Sequence, residues 1–449
     1  MNAERELVVI GGGLAGAEAA WQAAGAGVRV RLYEMRPVKQ TPVHGTGLLA
    51  ELVCSNSLKS DLLTSASGLL KEEMRILGSL VVECADANRL PAGQALAVDR
   101  DRYAECVTER LSTLPEITLF HQEVTKLPPD GIVIIASGPL TSEALAEEIS
   151  LLTGRDCLYF YDAVAPTITA DSIDYDIVYR ASRYGKGDAD YLNCPLTEDE
   201  YNAFYDALVS AARVPTSAVE PMKLFEGCMP VEEIASRGRQ TLAFGPLKPV
   251  GLDDPRTGKY PYAVAQLRQE NREGTLWGLV GFQTRLKWPE QERVFRMIPG
   301  LRNAEFARYG VMHRNTYIES PQLLLPTMRM RTPLPASGEG LGEGSIFFAG
   351  QITGVEGYVE SAAMGIVAGI NAARLIKGQE PIVFPRETMI GALADYISSP
   401  QTTDFQPMNA NFGILPKPEQ RIRNKRDRQA VQVEYALGAI RRTMSEVQA

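Results

Sequence analysis

One stretch near the start constrains this chain more than any other. Leu7-Val8-Val9-Ile10, an apolar strand, runs straight into Gly11-Gly12-Gly13-Leu14-Ala15-Gly16. Small helix formers follow from Ala17 to Ala24, then a second strand pattern, Val28 to Tyr33, that ends at Glu34. The order is strand, GxGxxG, helix, strand, acid. Gly11 makes the tight turn, Gly13 lets backbone approach a pyrophosphate, and Gly16 lets the helix pack close to the strand. The helix N-terminus turns its partial positive charge toward the phosphates. Glu34 falls about twenty residues past the glycines, where an acid accepts a ribose hydroxyl. A GxGxxG alone also occurs at plain strand–helix turns. In this full context, Gly11, Gly12, Gly13, Leu14, Ala15, Gly16 and Glu34 point to an adenine dinucleotide site.

The far end of the chain indicates which dinucleotide. Ser345 to Gln351 reads as a strand ending at Gly350, and Tyr358 to Ile376 as a long helix of small residues. A strand–glycine–helix unit this late, feeding back to an N-terminal site, is the arrangement of two-part FAD domains; an ordinary strand–helix unit is the alternative. Ile132 to Pro139 is another strand ending at a glycine. The cluster Gly338 to Gly344 has no strand before it and no helix after it, so it reads as a loop. With no second fingerprint in the sequence, a nicotinamide cofactor would dock directly over the flavin. Residues 161–325 are richer in Tyr, Pro and charge. The expected fold is α/β: a two-part, Rossmann-like FAD-binding domain of the glutathione-reductase type, residues 1–160 and 326–449, with an inserted α+β domain at 161–325.

Bulk properties exclude several classes. The chain has 449 residues and a net charge of −9, which argues against a general coat of positive charge for nucleic acid. No run of eighteen apolar residues marks a membrane span, and the acidic start, Met1 to Gly13, does not resemble a signal peptide. The cysteines, at 54, 84, 106, 157, 194 and 228, contain no CxxC pair. They fit neither a disulfide framework nor a zinc site, so no metal is expected. Reduced thiols point to the cytoplasm. A last helix is expected from Pro418, with Arg421, Arg423, Lys425, Arg426 and Arg428 crowding its first turns. That placement opposes the helix dipole and reads either as an RNA phosphate contact or as a solvated face.

Two cysteines sit in unusual company. Cys54 lies in Ala50-Glu51-Leu52-Val53-Cys54-Ser55-Asn56-Ser57-Leu58-Lys59-Ser60, where Ser and Asn favour turns and caps. A thiolate is stabilised near such a helix start, although on this stretch alone a small residue filling a gap beside a cap is the favoured reading. Cys228 lies in Glu226-Gly227-Cys228-Met229-Pro230, a turn suited to presenting a thiol.

Several segments together resemble the folate- and flavin-dependent tRNA uracil-5-methyltransferases of bacteria. They include VIGGGLAGAEAAWQ at 9–22, LYEMRP at 32–37, AELVCSNSLKSD at 50–61, FEGCMPVEE at 225–233, YGVMHRNTYIESP at 309–321 and FFAGQITGVEGYVESAAMGIVAGINAAR at 347–374. The likeness covers nearly the whole chain. One departure is visible: the family often has two adjacent histidines before the AELVCSNS run, and Val43-His44-Gly45-Thr46 has one.

The resemblance implies a reaction. The methylene of 5,10-methylenetetrahydrofolate goes to C5 of a T-loop uridine in tRNA, reduced FAD supplies electrons, and NADPH or NADH resupplies them. It also implies FAD contacts at Arg36, Asn56, Gly350, Gln351, Gly357 and Tyr358. Folate or substrate contacts are implied at His313, Arg314 and Asn315, with Arg285, Lys287 and Arg296 as candidates for carboxylate or phosphate. C5 of uracil is a poor nucleophile until a thiolate adds to C6. Cys228 is assigned that attack, and Cys54 the place beside the flavin or the removal of the C5 proton; the reverse stays open. Cys84, Cys106, Cys157 and Cys194 read as packing. Competing readings are the same chemistry on ribosomal RNA, a wobble-uridine flavoprotein, a small-molecule flavin oxidoreductase, and an RNA-binding protein that keeps FAD as a structural element.

Overall fold

The computed structural model describes residues 6–185, 188–215, 229–258, 260–331, 345–402, 405–418 and 422–448. Its first layer is a five-stranded parallel sheet in the order Ser345–Phe348, Ile132–Ile135, Leu7–Ile10, Val30–Glu34 and Ile117–His121. The three strands on the Ser345–Phe348 side are buried at every residue, as parallel strands covered on both faces require. A strand from the last quarter of the chain pairs with Ile132–Ile135, so the sheet is built from two separated pieces, as expected. The second strand begins at Val30, two residues later than its apolar pattern, because the Val28 N–H closes the preceding helix on the Ala23 carbonyl.

Two helices pack over this sheet through small residues. They are the glycine-loop helix, Leu14–Gly25, and the long helix, Tyr358–Ile376. A Cβ at Gly365 would lie 2.2 Å from the Ala15 carbonyl oxygen, and one at Gly369 would lie 2.6 Å from that of Ala19. The backbones therefore touch, which explains the Ala and Gly where the two helices meet. The long helix is apolar and long enough to cross a membrane by composition, but 83% of its most apolar window is buried within the protein. Its apolarity serves the core.

The inserted region has a separate hydrophobic core, from Ile168 to Ala304. It is an antiparallel sheet in the order Tyr179–Ala181, Tyr191–Leu196, Ala263–Gln269, Leu276–Leu279, Thr167–Thr169 and Phe306–Arg308. The helices Glu198–Ser210 and Trp288–Phe295 pack against this core. A two-stranded antiparallel ribbon, Leu158–Ala163 with Met312–Tyr317, joins the two regions.

The last helix is Lys425–Gln448 and does not start at Pro418. Asn424 supplies the stop that Pro418 does not: its side-chain oxygen accepts from the Arg426 N–H at 2.9 Å, a cap that fixes where the helix begins. Ala436 and Ile440 are buried in the main core, while Arg423, Lys425 and Arg426 stay exposed and Arg428 is half-buried. Arg421 lies outside the described residues.

Candidate active site

The glycine loop performs three separate steric tasks. Gly11 has φ +106°, and a Cβ there would stand 2.4 Å from the Ala136 carbonyl oxygen. A Cβ on Gly16 would stand 1.8 Å from the Gly11 carbonyl oxygen. A Cβ on Gly13 would meet nothing within 4 Å, because Gly13 faces an open cavity of about 350 Å³. Gly13 is also the N-cap of the glycine-loop helix, which has no side-chain cap and no acid in its first turn. Its unpaired N–H groups are left to face a ligand, the arrangement that binds phosphate. Leu14 and Ala15 line the same cavity, whereas Gly12 and Gly16 shape the turn behind it.

Glu34 closes one corner. Its carboxylate accepts from the Gly12 N–H at 2.9 Å and from the Arg36 N–H and Nε at 3.0 and 2.9 Å. Burial alone would raise this carboxyl, but the Arg36 guanidinium and these N–H groups outweigh it and hold the group below the usual carboxylate range. Arg36, itself buried, also reaches Glu51 at 3.1 Å. The corner thus presents a carboxylate kept charged, with lone pairs left for a hydroxyl.

Cys54 also lines the cavity. Its N–H and that of Ser55 donate to the hydroxyl of Tyr358 at 2.7 and 3.1 Å, and its thiol donates to the Ala163 carbonyl at 3.6 Å. Tyr358 opens the long helix, and burial pushes its hydroxyl well up, so it stays a neutral post for the Cys54 loop. Gly350 and Gly357, with φ +82° and +120°, bend the chain into the cavity wall. Gln351 donates to the buried carboxyl of Glu356 at 2.7 Å. That carboxyl is pushed well up by burial and by Asp162.

The connecting ribbon brings the inserted region's contribution. His313 is paired across it with Asp162, and both line the cavity. Burial and His44 lower the His313 imidazole to about 4, so it is neutral at pH 7. Its Nδ1 is buried without a partner among the described residues, as are both side-chain polar atoms of Asn315, two positions along the same strand face. Native proteins rarely leave such atoms unsatisfied; a polar ligand in the cavity would satisfy the His313 nitrogen, whereas Asn315 is fully buried and does not line the cavity. The His313 nitrogen, the Gly13 cradle and the charged Glu34 fit a dinucleotide and a flat polar ligand beside it.

Other expected residues lie elsewhere. Arg314 sits on the exposed face of the ribbon, its guanidinium 3.4 Å from the ring centre of Tyr159; strand alternation turns it away from His313. Arg285 is held by Glu233 at 3.0 Å and does not line the cavity. Asn56 is fully buried: it donates to the carbonyls of Val98 and Gln269 and accepts from Arg268 at 2.7 Å. It joins the two regions, while its neighbours Ser55 and Ser57 face the cavity. Cys228 lies outside the described residues. Met229, which follows it, is buried, and the Val231 N–H donates to the carbonyl of cavity-lining Gln283 at 2.6 Å. Cys84, Cys157 and Cys194 are buried, Cys106 is half-buried, and all are free thiols.

Some residues were missed. Lys59, at φ +63°, places its ammonium 2.8 Å from Glu360 and 2.6 Å from Asn409 in the cavity wall. The signal was present: Glu360 is the lone acid in an otherwise apolar and small helix. His44 also lines the cavity, with its Nδ1 2.6 Å from the Thr41 hydroxyl.

The family model described as "Glucose inhibited division protein A" matches residues 6–380. A protein of Pelotomaculum thermopropionicum named "Methylenetetrahydrofolate--tRNA-(uracil-5-)-methyltransferase TrmFO" is 60% identical over 438 residues, 98% of each chain. A protein of the same name from Listeria monocytogenes is 57% identical over 99% of this chain and 100% of its own. Among solved structures, GidA of Aquifex aeolicus superposes with a TM-score of 0.71 at 18% identity, over 99% of this chain and 74% of that one; this likeness bears on fold alone. The chain therefore belongs to the glucose inhibited division protein A family and, within it, to the TrmFO family of methylenetetrahydrofolate-dependent tRNA uracil-5-methyltransferases.

Proposed function

We propose that this protein methylates C5 of a T-loop uridine in tRNA, taking the carbon from 5,10-methylenetetrahydrofolate. FAD, when bound, supplies the two electrons that turn methylene into methyl. One observation carries the reading: a single cavity joins the uncapped glycine-loop helix, a charged ribose-side carboxylate, a loop cysteine and a neutral histidine from the ribbon.

Each residue then has a task. The N–H groups after Gly13 hold the pyrophosphate, and Glu34 accepts a ribose hydroxyl. His313, neutral and flat, stacks on the pterin without placing a charge against it. A thiolate adds to C6 of the uracil, which puts electron density on C5. We assign that attack to Cys228. Cys54 stands beside the transferred carbon or takes the C5 proton once C5 has bonded to that carbon; loss of the proton frees the carbon from the folate nitrogen as an exocyclic methylene, and the two electrons added to it expel the thiolate from C6. A reduced nicotinamide, NADPH or NADH, would return those electrons. Arg423, Lys425, Arg426 and Arg428, with Arg421, contact tRNA phosphates. Free cysteines fit a cytoplasmic setting.

The test is direct. Purified protein is given bulk tRNA, a reduced nicotinamide and methylenetetrahydrofolate labelled in its methylene. Label should appear in 5-methyluridine at one T-loop position. Label in ribosomal RNA only would move the target. Nicotinamide oxidation with no RNA product from any RNA would favour a small-molecule oxidoreductase.

A further inference from the structure

Outside the cavity, the inserted region carries three nearly parallel rings. Phe306 stacks on Tyr309 with centres 5.4 Å apart and planes at 8°, and Tyr309 stacks on Trp288 at 5.0 Å and 12°. The pile ends in solvent: Trp288 is 59% exposed. A large apolar ring packed on one face and bare on the other is costly to leave in water, and the segments that carry it are tied together. Gln291, fully buried, accepts the Gly310 N–H and donates to the Gly310 carbonyl, both at 2.8 Å, and donates to the Leu286 carbonyl as well. It staples the helix that begins at Trp288 to the segment that carries Tyr309. Gly310 admits no side chain, because a Cβ would stand 2.4 Å from Thr284 and 2.8 Å from the Val164 carbonyl oxygen.

The pile is wired to the cavity twice. Tyr309 lies four residues before His313, and Trp288 five residues after Gln283, and both His313 and Gln283 line the cavity. Four residues of extended chain span at most about 14 Å, so Tyr309 stands within that distance of the cavity wall. Basic residues surround it. Lys287 is exposed beside Trp288, and Arg308, on the strand that starts at Phe306, is exposed and donates to the Val53 carbonyl next to Cys54 at 3.3 Å. Among the described residues neither has an ion-pair partner. By contrast, the acids on the Trp288 helix are engaged: Glu290 by Arg293, and Glu292 by Arg296 and the Tyr309 hydroxyl.

The geometry points to Trp288 as a stacking platform for an unstacked nucleobase of the RNA substrate near the target uridine, with Lys287 and Arg308 facing its phosphates. Exposed aromatic faces next to cations are how proteins hold splayed bases of single-stranded RNA loops. The assignment rests on the RNA-methylating function proposed above.

Tryptophan-to-alanine and tryptophan-to-phenylalanine variants at 288 test it, with FAD content and melting temperature as checks on folding. Equilibrium binding of a T-arm stem-loop should weaken roughly ten- to a hundred-fold in Trp288→Ala, and Trp288→Phe should recover most of that loss. Unchanged stem-loop affinity in a folded, FAD-loaded Trp288→Ala, with wild type forming 5-methyluridine, overturns the platform and leaves the function standing. A change confined to KM for methylenetetrahydrofolate also overturns it and moves the ring to the folate. Wild type that forms no methylated uridine in any RNA fails the function first, and the platform with it.

Discussion

The two halves of this molecule use different means to build one cavity. The dinucleotide half works through backbone: Gly11, Gly13 and Gly16 each occupy a position where a side chain would collide or intrude, and Gly365 and Gly369 bring two helices into direct contact. The inserted half works through side chains on a ribbon and on one helix: His313 brings a buried, unpartnered ring nitrogen to the cavity, and Gln291 ties the helix to the ribbon by what it donates and accepts. Steric constraint of the first kind is written in residue type. Chemistry of the second kind depends on which face of a strand a residue takes, and residue type does not show that.

The largest effects should come from the glycine loop, and they should split. Gly16→Val should fail to fold, because its Cβ has no room beside the Gly11 carbonyl. Gly13→Val should fold with near-normal helix content and secondary structure by circular dichroism, yet purify colourless, because its side chain fills only the ligand's space. A yellow Gly13→Val would break the claim that this glycine faces the pyrophosphate.

Next in size is the division between redox and nucleophilic work. Cys228→Ala should bind FAD and be reduced by NADPH at the wild-type rate while forming no 5-methyluridine. Cys54→Ala should keep addition at C6 and lose methyl transfer, read by product analysis. Full methylation by Cys228→Ala would end the assignment.

Titration gives a smaller and graded effect. His313 is lowered to about 4 in the folded protein from an ordinary 6.5, so between these values the unfolded chain binds a proton that the folded one does not. Stability from this group is therefore complete above pH 6.5 and falls as pH drops toward 4, by up to about 1.4 kcal/mol per pH unit. Burial, with Arg36 next, lowers His44 to about 4 as well, so wild type should lose stability steeply over this window. His313→Gln should flatten the slope of denaturation free energy against pH by up to one proton; an unchanged slope would mean that His313 titrates normally.

The smallest effect is at the C-terminal helix. Changing Arg423, Lys425, Arg426 and Arg428 to Gln should reduce the slope of log K against log salt for tRNA by about 0.7–0.9 per lost phosphate contact. Flavin reduction without tRNA should not change. A constant slope would leave these residues as a solvated face.

The same contrast explains what could be read from sequence. The parallel sheet, the glycine tasks and the span Tyr358–Ile376 were legible because small residues recur where backbones must touch. The inserted region was legible as a change of texture, and its core runs from Ile168 to Ala304. Asn56 and Arg314 stand in stretches whose resemblance located the site, yet neither lines the cavity, while Ser55, Ser57 and His313 beside them do. Motif likeness gives the segment; alternation decides the residue. Lys59 was missed because its partner Glu360, although marked out as the lone acid of its helix, lies 301 residues away, and only the fold pairs the two. The start at Pro418 was misplaced because Asn424 offers a better cap than proline offers a beginning.

The central claim is that the inserted region delivers the nucleophile and the dinucleotide half delivers the electrons. It is tested most directly by trapping the protein on tRNA that carries 5-fluorouridine at the target. Fluorine cannot leave C5 as a proton, so the C6 adduct should persist. Peptide mapping of the trapped complex should find the RNA on the peptide that contains Cys228. RNA on the Cys54 peptide would reverse the two roles and contradict the account.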